Sequence, residues 1–178
     1  FVPDYFDITP IMPAFTPACG RFTYLGQPFG FGAAPVWTVT ARNSSGATTQ
    51  NYTGSLFKIS AASVTGQTWS STSGTVAAIG TLPAVSVNDL GNGIGSLVFA
   101  VGAPASGGGL AFAHTALSAP FDASLSLSAS VADSEGVSYA GNPYQHSGIG
   151  FDDGNAATSN DAQMRFGRLR IANANGSE

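Results

Sequence analysis

The chain of 178 residues carries a formal charge of -4, and only 9% of it is charged, against roughly 25% in an ordinary globular domain. Disorder needs low hydrophobicity with high net charge, so a hydrophobic fraction of 43% excludes it, and the acidic balance excludes a phosphate-binding face for nucleic acid. No apolar run approaches the roughly 18 residues of a membrane helix, so no membrane insertion is expected in this segment. No basic, then apolar, leader opens the chain.

In chain order the patterns have period two, and no window carries the apolar stripe of an amphipathic helix. "VWTVTAR" (36–42) sets Trp37, Val39 and Ala41 against Val36, Thr38, Thr40 and Arg42. "RNSSGATTQ" (42–50) reads as a hairpin loop, with Gly46 available for positive φ. "SLFKIS" (55–60) reads as a strand with Lys58 toward solvent. "NDLGNGIG" (88–95) and "ASGGG" (105–109) read as glycine-rich breaks, and "GSLVFAV" (95–101), apolar on both faces, as a central strand. "FDASLSLSASVAD" (121–133) alternates Phe121, Ala123, Leu125, Leu127, Ala129 and Val131 with Asp122 and four serines, a strand with one buried and one wet face. "DSEGV" (133–137) is a turn.

The last element is "MRFGRLRIANANGSE". Its apolar residues change parity between Phe166 and Leu169, which predicts a strand over 164–172 bulged at Gly167, with Leu169 and Ile171 buried. Three of the six cations, Arg165, Arg168 and Arg170, lie here, and Asp152, Asp153 and Asp161 lie just upstream. At least one arginine is therefore expected to pair with this acidic loop.

Short strands punctuated by turns predict an all-β fold: an antiparallel β-sandwich, Ig-like, of two packed β units. The best internal boundary is "GAPASGGG", which gives an Ig-like sandwich over 1–104 and a smaller β unit over 105–178, incomplete or merged with the first.

Candidate sites are sparse. Asp152, Asp153, Asn155 and Asp161 offer the oxygen ligands that calcium prefers, without EF-hand spacing; a solvated polar loop is the plainer reading. Asn88, Asp89 and Asn92 form a second such group. No other cofactor is expected. His114 and His146 have no zinc-ligand spacing, and HExxH, GxSxG and GxxxxGK[ST] are all absent, so no catalytic residue is assigned and no enzyme is expected. Cys19, the sole cysteine, reads as a small buried hydrophobe or as half of a disulfide to another chain segment. The sequons at Asn43, Asn51 and Asn175 arise readily by chance in so Ser/Thr-rich a chain. Phe15, Phe22, Tyr24, Phe29, Phe31 and Trp37 crowd the first third, and Tyr139 and Tyr144 flank "AGNP"; these fill a sandwich core or, if exposed, stack on sugars.

The stretches "FVPDYFDIT", "ACGRFTYLGQPF", "TVTARNSSGATTQNYTG", "APFDASLSLSASVADSEGV" and the closing "MRFGRLRIANANGSE" together resemble the C-terminal region of the MshQ proteins, a domain of unknown function encoded with the mannose-sensitive haemagglutinin type IV pilus. "TVTARNSSGATTQNYTG" also resembles a hairpin of bacterial Ig-like adhesin modules. The resemblance implies a segment of a longer protein at the surface of a Gram-negative bacterium, and no catalytic residues. The expected function is a non-enzymatic extracellular structural or adhesion module of a pilus-associated or surface-fibre protein, with a glycan-binding domain as the alternative. The expected partners are other surface or pilus proteins, further domains of the parent chain, or a glycan.

Overall fold

The computed structural model describes residues 2–19, 22–102, 108–150 and 163–167. Among these the regular structure is fourteen β-strands and two single turns of 3-10 helix, Gly54–Leu56 and Ala61–Ser63. The all-β expectation holds.

Two sheets form a sandwich. The first takes β1 (Tyr5–Ile11), β5 (Val36–Arg42), β9 (Ile94–Val98) and β8 (Ser86–Gly91), antiparallel throughout, in the order β1-β5-β9-β8. The second takes β6 (Val64–Ser71), β12 (Ser124–Val131) and β13 (Tyr144–Gly150), in the order β13-β12-β6. With these seven strands lettered A to G in chain order, the sheets read A-B-E-D and G-F-C. That is the strand order of a constant-type immunoglobulin sandwich.

Alternation builds the interface between the sheets. Trp37, Val39 and Ala41 of β5 are buried, as are Leu125, Leu127, Ala129 and Val131 of β12, while the intervening Thr and Ser residues stay at the surface. Antibody domains join their sheets by a disulfide; here rings meet instead. Trp37 lies 4.4 Å from Phe99 and 4.9 Å, edge-on, from Tyr144 on the opposite sheet. β9 is central, as "GSLVFAV" predicts, with Gly95, Ser96 and Leu97 all buried.

The remaining strands are insertions between sandwich strands, apart from the late β14, and they pair with one another. β2 (Ala14–Thr16) and β4 (Gly30–Ala33) form one ribbon, and β7 (Val76–Ile79) and β10 (Gly109–Phe112) another. β14 (Gln163–Arg165) lies between β11 (Phe121–Asp122), antiparallel, and β3 (Phe22–Tyr24), parallel. A chain of rings holds this accessory unit together and ties it to β6: Phe121 to Phe112 at 5.7 Å, Phe112 to Phe29 at 5.9 Å, Phe29 to Phe15 at 5.0 Å, Phe15 to Phe31 at 6.1 Å and Phe31 to Trp69 at 5.8 Å. Strands from both sides of residue 104 share sheets, in β6–β12, β7–β10 and β3–β14, and one hydrophobic cluster runs through both units.

Four local expectations are corrected. "SLFKIS" is a 3-10 turn followed by irregular chain, because Asp89 receives the Gly54 N–H and the Thr53 hydroxyl and curls the segment. After the turn at Gly46, φ 82°, the returning chain makes only a bridge at Thr48 and no second strand. "NDLGNGIG" is no break but the β8–β9 hairpin, with Asn92 at φ 53° and Gly93 at φ 76°, the positive pair that a two-residue I′ turn requires. "FDASLSLSASVAD" is two strands, β11 and β12, divided at Ala123.

Candidate functional site

The best-connected polar groups hold loops. The buried Asp133 carboxylate accepts from Tyr52 Oη at 2.7 Å and from the backbone N–H groups of Glu135 and Val137, each at 2.9 Å. Tyr52 Oη also accepts the Lys58 N–H at 3.1 Å. Burial, and then Asp133, push the Tyr52 phenol well above its ordinary value. The network therefore pins the 52–58 segment to the turn after β12.

Asp89 plays the same part at the surface. It accepts from Gly54 N, Gly91 N and Thr53 Oγ1 at 2.6, 2.8 and 2.8 Å, and these bonds, the Gly54 N–H first, hold its carboxyl below the usual range. Asn88 Nδ2 donates to Ser96 Oγ. Two of the three side chains of the second calcium candidate are thus engaged within the protein, and among the described residues no group of three His, Cys, Asp or Glu could hold a metal.

The histidines separate. His146 is buried on β13, with Nε2 3.2 Å from Met12 Sδ; burial lowers its pKa. His114 is exposed and stacks on Phe166 at 4.3 Å. Cys19 is half-buried, with Sγ 3.5 Å from Gln27 Oε1.

Asp152, Asp153, Asn155, Asp161, Arg168 and Arg170 lie outside the described residues, as do Leu169 and Ile171. Arg165, at the end of β14, donates to Gln163 Oε1 at 3.3 Å and sits 4.6 Å over the Phe22 ring. β14 ends at Arg165, with Phe166 and Gly167 outside it, and the rest of the expected strand, 168–172, lies outside the described residues. A side chain at Gly167 would begin 3.1 Å from the Tyr24 ring, so glycine there answers a close contact. Among the described residues, an arginine that holds a loop is Arg42, to which the sequence analysis assigns no such role. It bonds Thr48 Oγ1 at 3.1 Å and Gly46 O at 3.4 Å and meets Asp7 at 3.3 Å. The signal was its place at the mouth of the Gly46 turn.

Phe22, Tyr24, Arg165, Phe166 and His114 form a surface of rings with one cation on the accessory unit, where Phe22 and Tyr24 meet edge-on at 5.1 Å. Of the aromatics singled out from sequence, Phe15, Phe29 and Trp37 are core, and Tyr24 is 40% exposed. In sequence this surface adjoins a pocket of about 240 Å³ whose lining includes Leu25 and Ala113. Such an arrangement can stack an apolar face and can bond hydroxyls; among the described residues no nucleophile–base pair lines it.

A family model described as DUF6701, third domain, matches residues 1–159. No curated protein and no solved structure matches the chain.

Proposed function

The chain belongs to the DUF6701 third-domain family, and on that premise we propose that it is a non-enzymatic, extracellular structural or adhesion module of a longer, pilus-associated surface protein of the MshQ kind. The observation that carries this reading is the A-B-E-D/G-F-C strand order, an architecture used widely by cell-surface domains. The polar network at Asp133 and the bonds at Asp89 add to it, because they spend acidic groups on holding loops. The test is an in-frame deletion of this segment from the parent protein in its Gram-negative host. Loss of surface filaments or adherence, with the rest of the protein still exported, is expected; unchanged filaments and adherence would contradict the proposal.

A second reading, direct glycan binding, is favoured by the ring surface at Phe22, Tyr24, Phe166 and His114. A glycan array probed with the isolated domain separates the two readings.

A further inference from the structure

Between the β6–β7 connection and the strands of the accessory unit lies a pocket lined by Leu25, Ser73, Gly74, Thr75, Phe112, Ala113, Thr115, Ala116, Ser118 and Phe121. Its base and rim differ in chemistry. Leu25, Phe112 and Phe121 supply apolar surface, and Phe121 meets Phe112 edge-on at 5.7 Å. Around them stand four hydroxyls, on Ser73, Thr75, Thr115 and Ser118, and no ionisable side chain. Ser73 Oγ donates to Asp122 O at 3.4 Å, while the other three hydroxyls make no hydrogen bond among the described residues. Gly74 keeps the wall close, because a side chain there would begin 3.3 Å from the Phe112 ring.

An anion finds no cation in this lining, and a cation finds no carboxylate. A purely apolar ligand would leave the rim hydroxyls unsatisfied as it excluded water from them. A ligand with one apolar face and a periphery of neutral hydroxyls satisfies both base and rim. At about 240 Å³ the pocket falls below the roughly 300–1,000 Å³ that hold drug-sized ligands, so it suits one ring and not a chain. We propose that this pocket is a binding subsite for a single neutral hexopyranose unit, set where the accessory unit meets the β6–β7 connection. The proposal rests on the glycan-binding reading and gives it a place. The neighbours in sequence of two lining residues, Tyr24 beside Leu25 and His114 beside Ala113, carry rings of the adjoining surface. A second sugar of a longer glycan would stack there.

The test is an amide NMR titration of the intact chain with methyl glycosides of glucose, galactose and mannose at millimolar concentration, repeated with Ala116→Trp, which fills the pocket from an exposed position, and with Leu90→Trp, on the distant and exposed β8. At least one glycoside is expected to shift the amides of Gly74, Thr75, Ala113 and Thr115. Ala116→Trp should weaken that binding by about tenfold or more, roughly 1.4 kcal/mol, and Leu90→Trp should leave it unchanged, both with an unaltered melting temperature. Shifts confined to other residues would overturn the subsite and leave glycan binding standing. No shift with any glycoside, together with a blank glycan array, would overturn both. Should Ala116→Trp fail to fold, Thr115→Val, which removes one hydroxyl, is expected to weaken binding, and unchanged affinity would count against the proposal.

Discussion

At the scale of single residues the polar chemistry is concentrated where the chain must be held. Tyr52 and Asp133 are 81 positions apart and both buried, so each is the other's substitute for water. Tyr52→Phe removes one donor from the Asp133 carboxylate and one acceptor from the Lys58 N–H while keeping the ring. It is expected to cost about 1–3 kcal/mol, read by urea denaturation of wild type and variant. His146 predicts a pH dependence. Burial holds it neutral in the fold, whereas the unfolded chain binds its proton at the ordinary value of about 6.5. The unfolded state binds more protons in the window between the two values. The contribution is therefore complete above about pH 6.5 and is lost as the pH falls toward the lower folded value. Denaturation midpoints measured down this range should decline for wild type, and His146→Leu should flatten that part of the decline. Neither role was legible in the sequence. Tyr52 looked like the end of a hairpin and His146 like any isolated histidine, because their partners are remote in the chain.

At the scale of elements, what could be read was what local chemistry controls. The alternation in 36–42 and in 124–131 decided which face is buried, and Gly46 and Gly136 take up the positive φ their turns need. One misreading has a non-local cause, since Asp89 bends 54–56 away from a strand; the other is local, since the Asn92-Gly93 pair in 88–95 makes a two-residue hairpin turn and not a break. Gly93 makes the point testable: a Cβ there would collide with Thr49 O. Gly93→Ala is thus expected to destabilise by more than about 1 kcal/mol, seen as a lowered melting temperature. Asn142 is a second test. Its amide side chain accepts the Val131 N–H and donates to Val131 O, both at 2.9 Å, continuing the ladder of β12 by side chain. Asn142→Ala should cost about 1–3 kcal/mol, with hydrogen exchange at the Val131 amide accelerated.

At the scale of the whole molecule the fold class was legible and the interleaving was not. Period-two patterning tells that strands form, but three insertions and a late strand converging into one accessory unit is a matter of topology, set by Phe15, Phe29, Phe112, Phe121 and Met164 sharing one cluster. A chain ending at residue 104 would lack β12, the partner of β6, and β10, the partner of β7. It is expected to show no cooperative unfolding transition by circular dichroism, where residues 1–178 show one. As proposed, the module is a piece of a surface assembly, with its Ig-type sandwich as the scaffold and its ring surface and pocket presented on the accessory unit. Immunogold electron microscopy of intact, unpermeabilised cells, using an antibody raised against residues 1–178, tests that claim most directly. Gold on the outer surface or along filaments is the predicted result; label found only after the cells are opened, inside the cytoplasm, would contradict it.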